Sequence, residues 1–322
     1  MSGYINGKID IWSGDSPMSN LNSFWYKKDQ GNYSLMSYNN ALSTWNDITR
    51  PLGTNYILVK GDGTSIENAV KLQEAYNFAK FMTPNGLPKS VTSRVTVIVY
   101  PGTYTFGNTK FAVNTQYIDI VSLTGNADVI LDGINVTANN VYLKGLNSGT
   151  NFFIISSSLN LLKCENCIGG AYSWGNENII ISGTFINCIG GDYSFGGNGG
   201  IASGTFTNCK GSDSSFGGNT GTASGVFTNC IGSGYSFGNG GIASGTFIDC
   251  IGGDGSFGGN GGTASGTFTN CKGSDYSFGN GGELSATARL YYCRLIEGEF
   301  PLVELGGRTY YCVDGNGNTN NQ

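Results

Sequence analysis

The chain has 322 residues, of which 53 are glycine and only 12% are charged, with a net charge of −5 and no histidine. Glycine at about twice its usual frequency argues against a helical bundle, where each interior glycine costs about 1 kcal/mol relative to alanine. The 39% hydrophobic and 12% aromatic content argues against a disordered chain, and six prolines without a Gly-X-Y period exclude collagen. The acidic balance disfavours nucleic acid as a partner, because phosphate binding needs a basic stripe. The missing histidines remove imidazole acid/base chemistry and imidazole-bound metal.

The opening residues, MSGYINGKIDIW, have no basic stretch leading into an apolar one. No secretory signal is expected there. No apolar run reaches the ~20 residues that span a bilayer, so membrane insertion is not expected either. Residues 1–53 hold three of the four tryptophans, Trp12, Trp25 and Trp45, together with Phe24, Tyr26, Tyr33 and Tyr38. So short a segment buries too little surface to be stable alone. Its aromatics are of the kind that anchor interfaces, and Trp12, Trp25, Tyr26 and Trp45 are the expected contacts.

Residues 54–90 form a linker and a helix. Thr64 and Glu67 make a capping box, and Ala69, Leu72, Tyr76 and Ala79 give an apolar stripe up to Met82. From residue 91 the runs VTVIVYPGTYTF, YIDIVSLTG, ADVILDGINV and NVYLKGLN are strand-like and broken by turns.

Residues 164–281 nearly copy themselves. Copies such as SGTFTNCKGSDSSFGGNTGTA place cysteines at 167, 188, 209, 230, 250 and 271, in steps of 21, 21, 21, 20 and 21. Phe185, Phe206, Phe227, Phe247 and Phe268 keep the same beat, as do Trp174, Phe195, Phe216, Phe237, Phe257 and Phe278. The period is too short for helix-pair repeats, and the leucine framework of leucine-rich repeats is absent. A β-solenoid remains, with coils stacked about 4.8 Å apart and identical residues in ladders. Period-2 alternation turns Ala202, Gly204 and Phe206 inward and Ser203, Thr205 and Thr207 outward. Asn208 sits at the bend, Cys209 points inward again, and Lys210 points out. Parity leaves Ser194 and Phe195 both open as the inward residue; burial gain favours phenylalanine. The shortened step between Cys230 and Cys250 falls in the glycine turn.

The stretch GDGTSIENAVKLQEAYNFA followed by VTVIVYPGTYTF resembles the entry to the right-handed parallel β-helix of the pectin-lyase-like superfamily, with Gly61–Thr64, the helix, and Pro101–Tyr104 in the matching places. The resemblance implies an all-β, right-handed parallel β-helix over residues 91–312. Its helix would cap the N-terminal end, where a solenoid exposes core and strand edges. Residues 313–322 would be a flexible tail. The segment around Tyr26-Lys-Lys-Asp29, Tyr33 and Trp45 resembles a β-hairpin found near the start of phage tail-fibre proteins, with Gln30 intervening before Gly31. Together the resemblances imply a virion tail fibre or tailspike, a homotrimer anchored to other tail proteins by residues 1–53 and turned toward the host surface. The superfamily also contains glycan-cleaving enzymes and adhesins, so fold leaves activity open.

No cofactor or metal is expected. Cys164-x-x-Cys167 could be half a zinc site, but in register Cys164 takes the place of Phe185. Neighbouring thiols on one ladder run parallel, which suits a disulfide badly. Buried structural thiols are the expectation. Glycan cleavage would need clustered carboxylates. Candidates are Asp119, Asp128, Asp132, Glu165, Glu297, Glu299 and Glu304, none paired by a motif. At one corner of the repeat Asp192, Asp213, Asp254 and Asp275 recur beside Tyr193, Tyr235 and Tyr276, with Gly234, Ser214 and Gly255 interrupting. If exposed, that corner could stack on and hydrogen-bond to sugars of a host polysaccharide; the bland alternative is a packed turn. Outward threonine rows through Thr205, Thr207, Thr267 and Thr269 resemble an ice-binding face, broken by Ile186, Val226 and Ile248.

Overall fold

A computed structural model describes the backbone of five strands within residues 1–54. It describes residues 55–321 in full except 85–86, 150–152, 156–160, 176–177, 280–282 and 298–307, with backbone alone at 153–154 and 320. The chain winds into a parallel β-solenoid. Among the described residues, twelve strands form its longest sheet. They run in chain order from β6 (Tyr56–Val59) and the later β7 (Val95–Val99) through Thr184–Ile186, Thr205–Thr207 and Val226–Thr228 to Arg308–Tyr310. Pairing is in strict register: Phe185 lies opposite Phe206, Phe206 opposite Phe227, and Phe227 opposite Phe247. A second sheet stacks the two-residue strands from Ile180–Ile181 to Glu283–Leu284. A third face is a row of bridges through Ile168, Ile189, Lys210, Ile231, Ile251 and Lys272. The expected 21-residue coil and its inward and outward positions are all present.

The N-terminal segment is a five-stranded sheet. Its strands β1 (Ser2–Ile5), β2 (Ile9–Ser13), β3 (Phe24–Asp29), β4 (Asn32–Asn39) and β5 (Thr44–Ile48) lie in that order. The expected hairpin is β3–β4, with Asp29 opposite Asn32 across the turn. It is extended by β5, where Trp45 pairs with Tyr38, and by the parallel neighbour β2. The side chains of Trp12, Trp25, Tyr26 and Trp45 lie outside the described residues.

Helix α1 spans Ser65–Phe81. Thr64 accepts the Glu67 amide, and the Glu67 carboxylate accepts the Thr64 amide at 2.8 Å, completing the capping box. Ala69, Leu72, Tyr76 and Ala79 are buried. The helix is tied to the first coils by the Tyr76 hydroxyl, which accepts the amides of Asn114 and Thr115 at 2.8 and 2.9 Å.

Inside the regular coils two phenylalanine ladders run side by side. Rings within a ladder stack nearly parallel, as at Phe206–Phe227 (4.9 Å, 4°) and Phe216–Phe237 (4.9 Å, 2°). Rings of opposite ladders meet edge to face, as at Phe216–Phe227 (5.9 Å, 85°). This herringbone uses both favourable aromatic geometries at once, each pair adding about 0.5–1.5 kcal/mol beyond burial. Trp174 closes it at the N-terminal end. Phe195 and Ser194 are both fully buried, so the turn directs two consecutive side chains inward.

All nine cysteines are free and buried. Cys164 pairs with Phe185, as its register implies. The other eight form one ladder, which continues past the regular repeats to Cys293 and Cys312. Seven of these eight thiols donate to a carbonyl of the preceding coil, as from Cys230 to Phe206 (3.4 Å) and from Cys293 to Phe268 (3.4 Å), while Cys188 donates to Ile186 within its own coil. A small apolar side chain with a weak donor suits this position better than alanine. Burial pushes the Cys164 and Cys188 thiols well up from their usual range.

The glycine turns are as ordered as the strands. Tyr193 and Phe195 adopt left-handed conformations, as do their equivalents in every regular coil. For bulky residues this costs roughly 1–2 kcal/mol each. Inter-coil hydrogen bonds (Tyr193 N to Asp213 O, 2.9 Å; Phe216 N to Ser194 O, 3.1 Å) and burial of the phenylalanines offset it. Between coils the approach is too close for a side chain at some positions: a Cβ on Gly225 would run into the Gly204 carbonyl. Past the last coil, Val313 pairs with Thr319 in a short hairpin. The Asp314 carboxylate organises it by accepting the amides of Asn316 and Asn318.

Phe227→Ala should lower stability by about 3–5 kcal/mol, because the ladder cannot collapse around the missing ring. Lys210→Ala should change it by less than about 0.5 kcal/mol. Chemical denaturation of the two variants checks the inward and outward assignment.

Candidate functional site

The tyrosine–aspartate corner is exposed. It lies where the chain leaves the bridge row and enters the glycine turn. The left-handed conformation of each tyrosine swings its ring out while the following serine and phenylalanine turn in. Tyr172 and Tyr193 stack at 5.0 Å and 12°, so the corner begins as an external aromatic ladder. Ser214 then interrupts it. Tyr235 and Tyr276, on either side of Gly255, are 47% and 54% exposed, against 36% for the stacked Tyr172.

Gly255 has a structural cause that the sequence did not disclose. The coil from Cys230 to Cys250 is one residue short in its glycine turn. Asn239 is drawn inward there, is buried, and donates its amide to the Gly255 carbonyl at 2.6 Å. A Cβ on Gly255, whose φ is +64°, would meet that amide and would lie 3.3 Å from Cδ1 of Tyr235. A side chain at residue 255 would therefore have to displace the Asn239 amide from the Gly255 carbonyl, and the shortened turn favours glycine in the next coil. An open cleft of about 200 Å³ results, lined by Tyr235, Asp254, Gly255, Asn260, Asp275 and Tyr276.

Four of the sequence-predicted corner residues, Tyr235, Asp254, Asp275 and Tyr276, are thus brought together. Asp192, Tyr193 and Asp213 lie on the same corner in earlier coils, outside the cleft. Asn260 joins these four in the cleft lining. Their positions follow from coil register alone, but the importance of that one coil depends on the shift of Asn239.

The scattered carboxylates have structural partners. Asp119 is buried and takes two hydrogen bonds from Arg94, at 2.7 and 2.5 Å. Asp128 accepts from the hydroxyls of Ser122 and Thr124. Asp132 accepts the amides of Phe106 and Gly107. Glu165 is held by Lys144 (2.6 Å), Tyr142 (2.7 Å) and Lys163 (3.4 Å). Tyr142 links two of them, because its amide donates to Asp119. Glu297 is exposed; Glu299 and Glu304 lie outside the described residues. No cluster of three or more candidate metal ligands occurs among the described residues. The threonine rows are in register, with Thr205 opposite Val226 and Thr207 opposite Thr228.

No family model, no curated protein and no solved structure matches the chain. The class defined by its own geometry is an all-β parallel β-solenoid with one short helix. Among the described residues, no helix is long and apolar enough to cross a membrane.

Hydrogen bonds from Lys144 and then Tyr142 hold the Glu165 carboxyl at about 2, against an ordinary value of 4.5. A depressed folded-state value means stabilisation that is fully present above pH 4.5 and lost as pH falls toward 2. Glu165→Gln should therefore flatten the fall of melting temperature between pH 4.5 and 2. At neutral pH the variant should melt below the parent, because the mostly buried Glu165 carboxylate and its bonds to Lys144 and Tyr142 contribute their full stabilisation there.

Proposed function

We propose that the protein is a virion structural protein of a tailed phage, a tail fibre or tailspike-like protein anchored through residues 1–53 and used for attachment to the host surface. The observation that carries this reading is the succession of a separate N-terminal strand segment and a long, uniformly stacked solenoid. The first suits docking and the second suits a stiff shaft. The resemblance of the β3–β4 hairpin to tail-fibre starts supports the virion location, and the GDGT and PGTY segments support kinship with pectin-lyase-like β-helices. On this reading the protein is a homotrimer in the tail, assembled in the host cytoplasm, with other tail proteins and a host surface polysaccharide as partners. Depolymerase activity is a weaker reading, because Asp119, Asp128, Asp132 and Glu165 are each committed to turns or ion pairs. A free adhesin is the remaining alternative; an ice-binding role is weaker, because Ile186, Val226 and Ile248 break the threonine rows.

The experiment is deletion of residues 1–53. The truncated chain should retain its β circular dichroism and cooperative melt while failing to enter particles. Normal incorporation would overturn the anchoring role, and loss of the β signal would make the segment a structural cap.

A further inference from the structure

We infer that the cleft at Gly255 is a binding site for an organic cation bearing a methylated ammonium head. The inference stands on the cleft alone and does not require the virion reading.

The tyrosine corner is a ladder with one rung removed. The internal rings beside it rise 4.9 Å per coil, from Phe237 to Phe257 and again from Phe257 to Phe278. Tyr235 and Tyr276 are two coils apart, so their ring positions are separated by roughly 10 Å along the axis. A cation midway between them would lie about 5 Å from each ring, inside the ~6 Å reach of cation–π attraction. A flat ring stacked on one tyrosine would leave the other out of contact. A rounded trimethylammonium group touches both, and the cleft of about 200 Å³ has room for it.

Charge points the same way. Asp254 and Asp275 stand one coil apart on the cleft wall. Among the described residues, all the ion pairs lie between Asp62 and Glu165, and neither aspartate has a basic partner. Two neighbouring carboxylates without a counter-charge repel each other. A cation in the cleft would relieve that repulsion while resting on two tyrosine faces. Elsewhere along the corner the combination is incomplete: Ser214 adjoins Gly234, which breaks the aspartate row.

The test is calorimetric titration of the full chain at low salt with choline chloride and with tetramethylammonium chloride. The uncharged isostere 3,3-dimethylbutan-1-ol and N-acetylglucosamine serve as comparisons. The expected result is one choline site per chain, with the isostere at least about five-fold weaker. Tyr276→Leu and the double variant Asp254→Asn/Asp275→Asn should each weaken choline at least about five-fold, with circular dichroism unchanged. The variants alter exposed or half-buried side chains of the cleft and leave the buried ladders intact. Equal binding of the isostere, preference for the sugar, undiminished choline binding by the variants, or no binding up to about 50 mM would each overturn the proposal.

Discussion

Parallel strands of successive coils lie about 4.8 Å apart, and flat aromatic rings stack comfortably at nearly that separation. This coincidence of two distances governs the solenoid. A phenylalanine at a fixed coil position meets its copies at 4.9 Å above and below. A second phenylalanine in the glycine turn meets the first edge-on. The backbone ladder and the aromatic ladder then reinforce each other, since a shift in either would break both. The left-handed aromatic residues in every turn are held by that double constraint. The cysteine ladder fills the remaining interior, and at every rung but Cys188 its thiol reaches a carbonyl of the coil before.

A surface built this way is repetitive unless the repeat is broken, so the breaks carry the individuality of the molecule. The one-residue shortening before Cys250 shows how little is needed. It buries Asn239, favours a glycine at residue 255, and opens the external tyrosine ladder between two carboxylate-bearing coils. The less regular N-terminal coils differ in kind. There the outer surface is held by polar links running from Arg94 through Asp119 and Tyr142 to Glu165 and its lysines.

Much of the fold was legible because a 21-residue period acts as an alignment of the chain with itself. The inward placement of Phe206 and Cys209, the outward placement of Lys210, the bend at Asn208 and the capped helix all follow from parity, turn chemistry and a capping box. The extension of the cysteine ladder to Cys293 and Cys312 was not legible. Those steps are 22 and 19 residues, and Leu290 and Thr309 replace phenylalanine beside them. Parity could not show that Ser194 and Phe195 both turn inward, because left-handed residues abolish simple alternation. Register placed the corner residues in one column but left their exposure open, and the cleft was hidden, because it arises from a contact between coils rather than from any motif within one.

The central claim is that whole coils are interchangeable units held by in-register ladders. Excising residues 205–225 removes one 21-residue coil and joins Gly204 to Val226 in register. Excising residues 205–214 leaves the ladders out of phase. Thermal melting followed by circular dichroism compares the two directly. The account predicts that the full-coil deletion melts cooperatively near the parent temperature, while the half-coil deletion loses its transition. A full-coil deletion that unfolds, or a half-coil deletion that melts like the parent, would contradict it.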